Sequence, residues 1–134
     1  MKPIQVPTGK TNFLIIHRPT RYKQYVASLL FDDKTLAPFI KEMRKEYPDY
    51  EHKYLNKVDG MNQIHATSLM QPKLTVGGKE YKLIPNLQAG TVCSITVVPK
   101  LRGMSDILFD LVAVDVTEPV LYVPRQETEE ISPF

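Results

Sequence analysis

The sequence predicts a mainly β protein, a small barrel of five to seven strands with one inserted helix at about residues 35–47. Three observations predict it. Short runs of β-branched and aromatic residues are interrupted again and again by the 11 prolines and 6 glycines. A single segment carries the three-and-four spacing of an amphipathic helix. A Gly-Gly pair, Gly77-Gly78, separates two short runs as a hairpin turn does.

Residues 1–10 contain Pro3, Pro7 and Gly9 and read as an irregular arm or edge segment. Residues 11–17 (TNFLIIH) are apolar and rich in β-formers, as in a buried strand. A basic turn, His17–Lys23, follows with Pro19 as breaker. Across residues 24–32, Tyr25, Ala27, Leu29 and Phe31 share one face, while Val26, Ser28 and Leu30 share the other. That is a strand covered on both sides. Leu36, Phe39, Ile40, Met43 and Tyr47 then form the helical stripe, with Lys41, Arg44 and Lys45 off it. Thr35 is the expected N-cap, Pro38 falls in the first turn, and Pro48 stops the helix.

From residue 60 the pattern is strand throughout. Gln63–Met70 alternates up to Pro72. Lys73–Val76 and Lys79–Leu83 flank the Gly-Gly turn. Thr91–Val98 is strongly β-branched, and a link over Lys100–Ser105 leads to Ile107–Val116. In that last run Leu108, Val112, Val114 and Val116 are expected on one face. Val120–Val123 is a short final strand between Pro119 and Pro124. This order fits a partly open Greek-key barrel of the OB type, with an SH3-like barrel or a small sandwich as alternatives. At 134 residues one domain is expected over 1–124, followed by a polar tail over 125–134.

Composition narrows the function. One cysteine, Cys93, excludes an intrachain disulfide and reads as a small buried hydrophobe. Pro3, Gln5, Pro7 and Lys10 interrupt any candidate signal sequence, and no apolar run approaches a membrane span. A soluble, cytoplasmic protein is expected. His17, His52 and His65 have no metal-ligand spacing, and Asp32-Asp33 falls where acids favour a helix N-terminus. No phosphate-binding glycine loop, nucleophile elbow or zinc-protease pair is present, so neither an enzyme nor a cofactor is expected.

Charge is more telling. Residues 1–102 hold 16 Lys and Arg against 8 Asp and Glu, whereas residues 103–134 hold 1 against 7. A basic body with an acidic end suits a polyanion. The cations also lie among tyrosines: Arg18, Arg21, Tyr22, Lys23 and Tyr25; Lys53, Tyr54 and Lys57; Lys79, Tyr81 and Lys82; then Lys100 and Arg102. Single-stranded nucleic acid needs this mixture, cations for phosphates and flat rings for unpaired bases. The same tyrosines would also serve to cap a barrel with their hydroxyls in water. The tail places Glu127, Glu129 and Glu130 ahead of Ile131, Pro133 and Phe134. That is the make-up of a docking peptide, with acids that steer and a ring that anchors.

The tail resembles those of the single-stranded DNA-binding proteins of bacteria and their phages. Bacterial members end in acids and Ile-Pro-Phe, and T7-type phage members in acids and Phe. Ser132, between Ile131 and Pro133, and Glu in place of Asp depart from that pattern. The body is similar to the phage branch: YVASLLFDDKT runs straight into the helix, and LQAGTVCSITVVP, a glycine-containing loop and DLVAVDVTEPV close the order. The resemblance implies an OB fold and sequence-tolerant coating of single strands in replication, recombination or repair. It also implies recruitment of replication or recombination proteins through the tail, in the host cytoplasm if the chain is phage-encoded. A phage structural or adaptor domain that binds protein is the competing expectation.

Overall fold

The computed structural model describes residues 2–48, 55–102 and 106–121. Nine strands and one helix follow in the order β1 (Ile4–Gln5), β2 (Gly9–Ile15), β3 (Tyr25–Phe31), α1 (Asp33–Glu46), β4 (Asn56–Val58), β5 (Met61–Ser68), β6 (Lys73–Val76), β7 (Lys79–Tyr81), β8 (Val92–Arg102) and β9 (Asp106–Glu118). Five of them close on themselves. β2 pairs with β3, β3 with β5, β5 with β9, β9 with β8, and β8 returns to β2. All these pairings are antiparallel except β5–β9, which is parallel. A closed Greek-key barrel with an inserted helix is the OB arrangement expected from the sequence.

The closure is short. Only Gly9↔Cys93 and Lys10↔Val92 pair β2 with β8, extended by Thr11 N–H donating to Thr91 O at 2.9 Å. Beyond this point the edge of β2 diverges from β8. Gly9 permits the approach, since a Cβ there would stand 2.4 Å from Cε1 of Phe31.

Two bulges decide which side chains face inward. Thr11 pairs with Leu29 but Phe13 with Ser28, so Asn12 is an extra residue in β2. Thr11 is buried before the bulge and Leu14 after it, while Phe13 turns outward and is 46% exposed. In β9 the extra residue is Val112, because Thr96 pairs with Ala113 but Val97 with Leu111. Ile107, Phe109 and Leu111 are buried before it, Val114 and Val116 after it. The expected single face for Leu108, Val112, Val114 and Val116 is therefore corrected: the first two point outward and the last two inward.

The helix starts earlier than the apolar stripe suggests. Asp32, not Thr35, is the N-cap, and its Oδ1 accepts the Thr35 N–H at 2.7 Å. Pro38 consequently lies past the first turn. Leu36, Phe39 and Met43 are buried in the barrel core, where the rings of Phe39 and Phe109 meet with centroids 6.0 Å apart.

Other differences concern connections. β4 and β5 form an unexpected hairpin through Asp59-Gly60, both at positive φ, the signature of a two-residue mirror-image turn. The expected link Lys100–Ser105 is instead strand through Arg102, which pairs with Asp106. Of the expected strand Val120–Val123, only an isolated bridge, Leu121↔Leu87, lies among the described residues.

Candidate nucleic-acid interface

The outer face of β2, β3 and β5 carries the site. Register puts Phe13, Ser28 and His65 in one row across the three strands, and Ile15, Val26 and Thr67 in the next. Above them sits the β2–β3 connection. Its turn is built by Lys23 N–H donating to Thr20 O and Thr20 N–H donating to Gln24 O, both at 2.8 Å. Lys23 itself takes φ 61°. Together these elements enclose a cleft of about 570 Å³ lined by Phe13, Arg18, Arg21, Tyr22, His65 and Thr67, with Ile15, Thr20, Gln24 and Val26. No carboxylate is among the lining residues.

Arg21 and Tyr22 act as one unit. The Arg21 guanidinium carbon is 5.0 Å from the Tyr22 ring centroid, and its Nη2 donates to the Tyr22 hydroxyl at 3.0 Å. The ring remains 69% exposed. A plane of this size, backed by a cation, offers stacking to a flat ligand. Phe13 supplies a second exposed ring, on rigid strand rather than loop. Below it the Ser28 Oγ and His65 Nδ1 lie 2.5 Å apart, which leaves His65 Nε2 for the cleft. Burial holds the His65 imidazole below its usual titration range, so the ring is neutral at pH 7.

The face continues around the barrel. Thr67 pairs with Asp110, and Asp110 with Val98. There a second cleft of about 420 Å³ includes Leu69, Met70, Lys100, Asp110 and Val112 in its lining. Lys100 Nζ is 3.7 Å from Asp110 and Arg102 is 3.5 Å from Asp106. Both pairs are exposed, so each contributes little and a phosphate competes for the cation. The basic β2–β3 connection and the cations Lys100 and Arg102 at the end of β8 thus flank one continuous surface.

Of the residues expected from sequence, the structure brings Arg18, Arg21 and Tyr22 onto the cleft, with Lys23 in the same turn. Tyr25 alternates with Val26 and so shares the side of Ala27 and Leu29, away from the cleft. Lys57 is in β4, 3.5 Å from Asp33. Lys79 and Tyr81 lie on β7, and Lys82 follows them, on a hairpin joined to β9 through β6. None of these three lines either cleft. Lys53, Tyr54 and the tail residues Glu127, Glu129, Glu130, Ile131, Pro133 and Phe134 lie outside the described residues. Phe13 and His65 were not expected; the bulge at Asn12 and the strand register that place them leave no mark in composition. Among the described residues there is no group of three or more His, Cys, Asp or Glu placed to hold a metal. No helix among them is long and apolar enough to cross a membrane.

The fold is similar to solved structures of phage proteins. The single-stranded DNA-binding protein from bacteriophage Enc34 superposes with TM-score 0.69 at 17% identity, covering 98% of this chain and 90% of that one. The Enc34 protein in complex with single-stranded DNA matches with TM-score 0.64 at 17% identity, over 87% and 86% of the two chains. The single-stranded DNA-binding protein gp2.5 encoded by bacteriophage T7 matches with TM-score 0.68 at 13% identity, over 94% and 97%. Likeness at these identities establishes a common fold. No family model matches the sequence, and no curated protein matches it.

Proposed function

We propose that this chain binds single-stranded DNA without sequence specificity on the outer face of β2, β3 and β5. The observation that carries the reading is the cleft in which Arg18 and Arg21 stand beside the exposed rings of Phe13 and Tyr22 with no carboxylate in the lining. Cations take up phosphates there and rings take up unpaired bases, which a duplex keeps stacked. The phage proteins of the same fold, one of them holding single-stranded DNA, support the same assignment. In this reading the protein coats and protects single strands during phage DNA replication, recombination or repair in the host cytoplasm, and it is not an enzyme. The domain spans residues 1–124, and Lys100 and Arg102 extend the phosphate path toward the β8–β9 hairpin. Lys57, Lys79, Tyr81 and Lys82 are further candidates, as are Lys53 and Tyr54 outside the described residues.

Fluorescence titration with a mixed-sequence single strand and the matching duplex, at two salt concentrations, tests the reading. Tighter binding of the single strand, weakening as salt rises, is expected. Duplex bound equally well at moderate salt would count against it.

The segment 125–134 has a separate role in this proposal. Its Glu127, Glu129 and Glu130 steer, and Ile131, Pro133 and Phe134 anchor, a replication or recombination protein. Phe134→Ala is expected to abolish capture of that partner and to leave strand affinity unchanged, since no charge is altered. Loss of strand affinity in that variant would show that the segment belongs to the DNA site instead.

A further inference from the structure

A third cleft, of about 320 Å³, lies on the other side of β2 from the cleft just described. Its lining includes Asn12, Phe13, His17, Arg18, Asn86 and Gln88. Phe13 and Arg18 line both clefts, so β2 is a wall between them. Here β2 has already left β8, and the segment around Asn86–Ala89 faces the strand edge instead.

The lining differs in chemistry from the main face. Asn12, the bulge residue, holds a buried Oδ1 without a hydrogen-bond partner, and the Nδ1 of His17 is likewise buried and unpartnered. Buried polar atoms are seldom left this way. Gln88 Nε2 donates to Asn86 Oδ1 at 2.9 Å, which leaves Gln88 Oε1 to accept and the Asn86 amide nitrogen to donate. The Gln88 backbone is pinned as well: its N–H donates to Val120 O at 2.7 Å, and its carbonyl accepts from the Thr91 hydroxyl at 2.8 Å. The Gln88 and Asn86 carboxamides thus hold one another on a segment whose backbone the fold fixes.

We infer that this cleft is a base-reading subsite, taking one nucleobase with an exocyclic amino group from a strand lying over β2. The inference rests on the proposed binding of single-stranded DNA. A base turned past Phe13 keeps the ring beside it, and its phosphate stays within reach of Arg18, which serves both clefts. Two acceptors, Asn12 Oδ1 and Gln88 Oε1, match the two N–H donors of an amino group. A carbonyl at the same ring position would set oxygen against oxygen. The subsite adds a preference for cytosine over uracil to a face that is otherwise indifferent to sequence.

Oligo-dC and oligo-dU of equal length test this, since both are pyrimidines of one size that differ at the amino position. The parent is expected to bind oligo-dC roughly fivefold more tightly, the scale of one specific base contact. Asn12→Leu and Gln88→Leu are each expected to bring that ratio to about one, by weakening oligo-dC and relieving the clash with oligo-dU. Thermal melts establish that each variant is folded, and Gln88→Leu decides alone if Asn12→Leu is not. A parent ratio near one, or a ratio preserved in every folded variant, overturns the subsite and leaves the strand-binding face intact. A parent that retains neither strand overturns both.

Discussion

Ser28 and His65 meet across β3 and β5 with Oγ 2.5 Å from Nδ1, and this contact places a titratable ring under the main cleft. Burial disfavours the imidazolium and lowers the His65 pKa below 6.5. His17 is lowered in the same way, by burial first and then by Arg18. The unfolded chain therefore takes up protons before the folded one as pH falls through 6.5, and the native state loses stability below that value. A strand on the cleft acts oppositely on His65, because phosphates favour its cation. Affinity for oligo-dT is expected to rise between about pH 7.5 and 5.5, and His65→Gln to flatten the rise. A parent whose affinity is level over that range would remove His65 from the interface.

Arg18 and Arg21 line the cleft without a carboxylate beside them, unlike Lys57, Lys100 and Arg102, which pair with Asp33, Asp110 and Asp106. An unneutralised cation displaces counterions from phosphate at no competing cost. Each of Arg18→Ala and Arg21→Ala should thus reduce the slope of log affinity against log salt by about 0.7. Lys79→Ala, on a hairpin that lines neither cleft, is expected to leave the slope nearly as it was. An equal change in all three variants would point to a diffuse charge effect and not a path.

Much of this architecture was legible in residue order. Alternation and breakers located the strands, Gly77-Gly78 marked a hairpin, and the stripe Leu36, Phe39, Met43 marked the helix. Side-chain direction was less legible wherever a bulge intervened. Asn12 and Val112 each reverse the alternation by one residue, and nothing in TNFLIIH or ILFDLVAVDV distinguishes an extra residue from a regular one. So Phe13 read as core and is exposed, while Tyr25 read as interface and shares the side of the core. The Asp59-Gly60 turn is a readable signal, since that pair favours positive φ. Among the cations, sequence supplied the candidates, but only the fold separates Arg18 and Arg21, in a cleft without a carboxylate, from those paired with one.

Gly9 and Phe31 set the tolerance of the barrel seam. A Cβ at residue 9 would lie 2.4 Å from Cε1 and 2.8 Å from Cζ of Phe31, and Phe31 is itself buried. Gly9→Ala is expected to destabilise the fold by about 1–3 kcal/mol through overpacking. Urea unfolding measures it. Adding Phe31→Leu to Gly9→Ala should cost less than the sum of the two single changes, because the smaller side chain vacates the contested space. Strict additivity would place the strain elsewhere.

Cys93 faces the same core opposite Gly9. Burial, with a smaller push from Asp115, raises its thiol to about 12. A raised pKa means that the thiolate forms more readily in the unfolded chain, so stability falls as pH rises through about 9 toward 12. At neutral pH the native thiol is expected to resist a disulfide reagent and to react fully in denaturant. Rapid reaction of the native protein would show that the β2–β8 seam opens.

Phe13 and Tyr22 present the two exposed rings of the main cleft from different supports, and the difference decides how each should behave. Phe13 is fixed by ladder pairing with Ser28, and only the bulge at Asn12 turns it outward. Tyr22 stands on the β2–β3 connection, backed by Arg21. Each ring is expected to contribute about 1–3 kcal/mol of stacking, lost on replacement by Ala. Phe13→Ala removes a half-exposed side chain, so thermal stability should change little while strand affinity drops. Tyr22→Ala also frees Arg21 from its ring contact, which returns some charge to the phosphates and makes the net loss the smaller of the two. Phe13→Trp, which enlarges the stacking plane without touching the core, should bind as well as the parent or better. Should Phe13→Ala bind like the parent while Tyr22→Ala does not, the strand would follow the connection and not the sheet, and the assigned path across β2, β3 and β5 would be wrong.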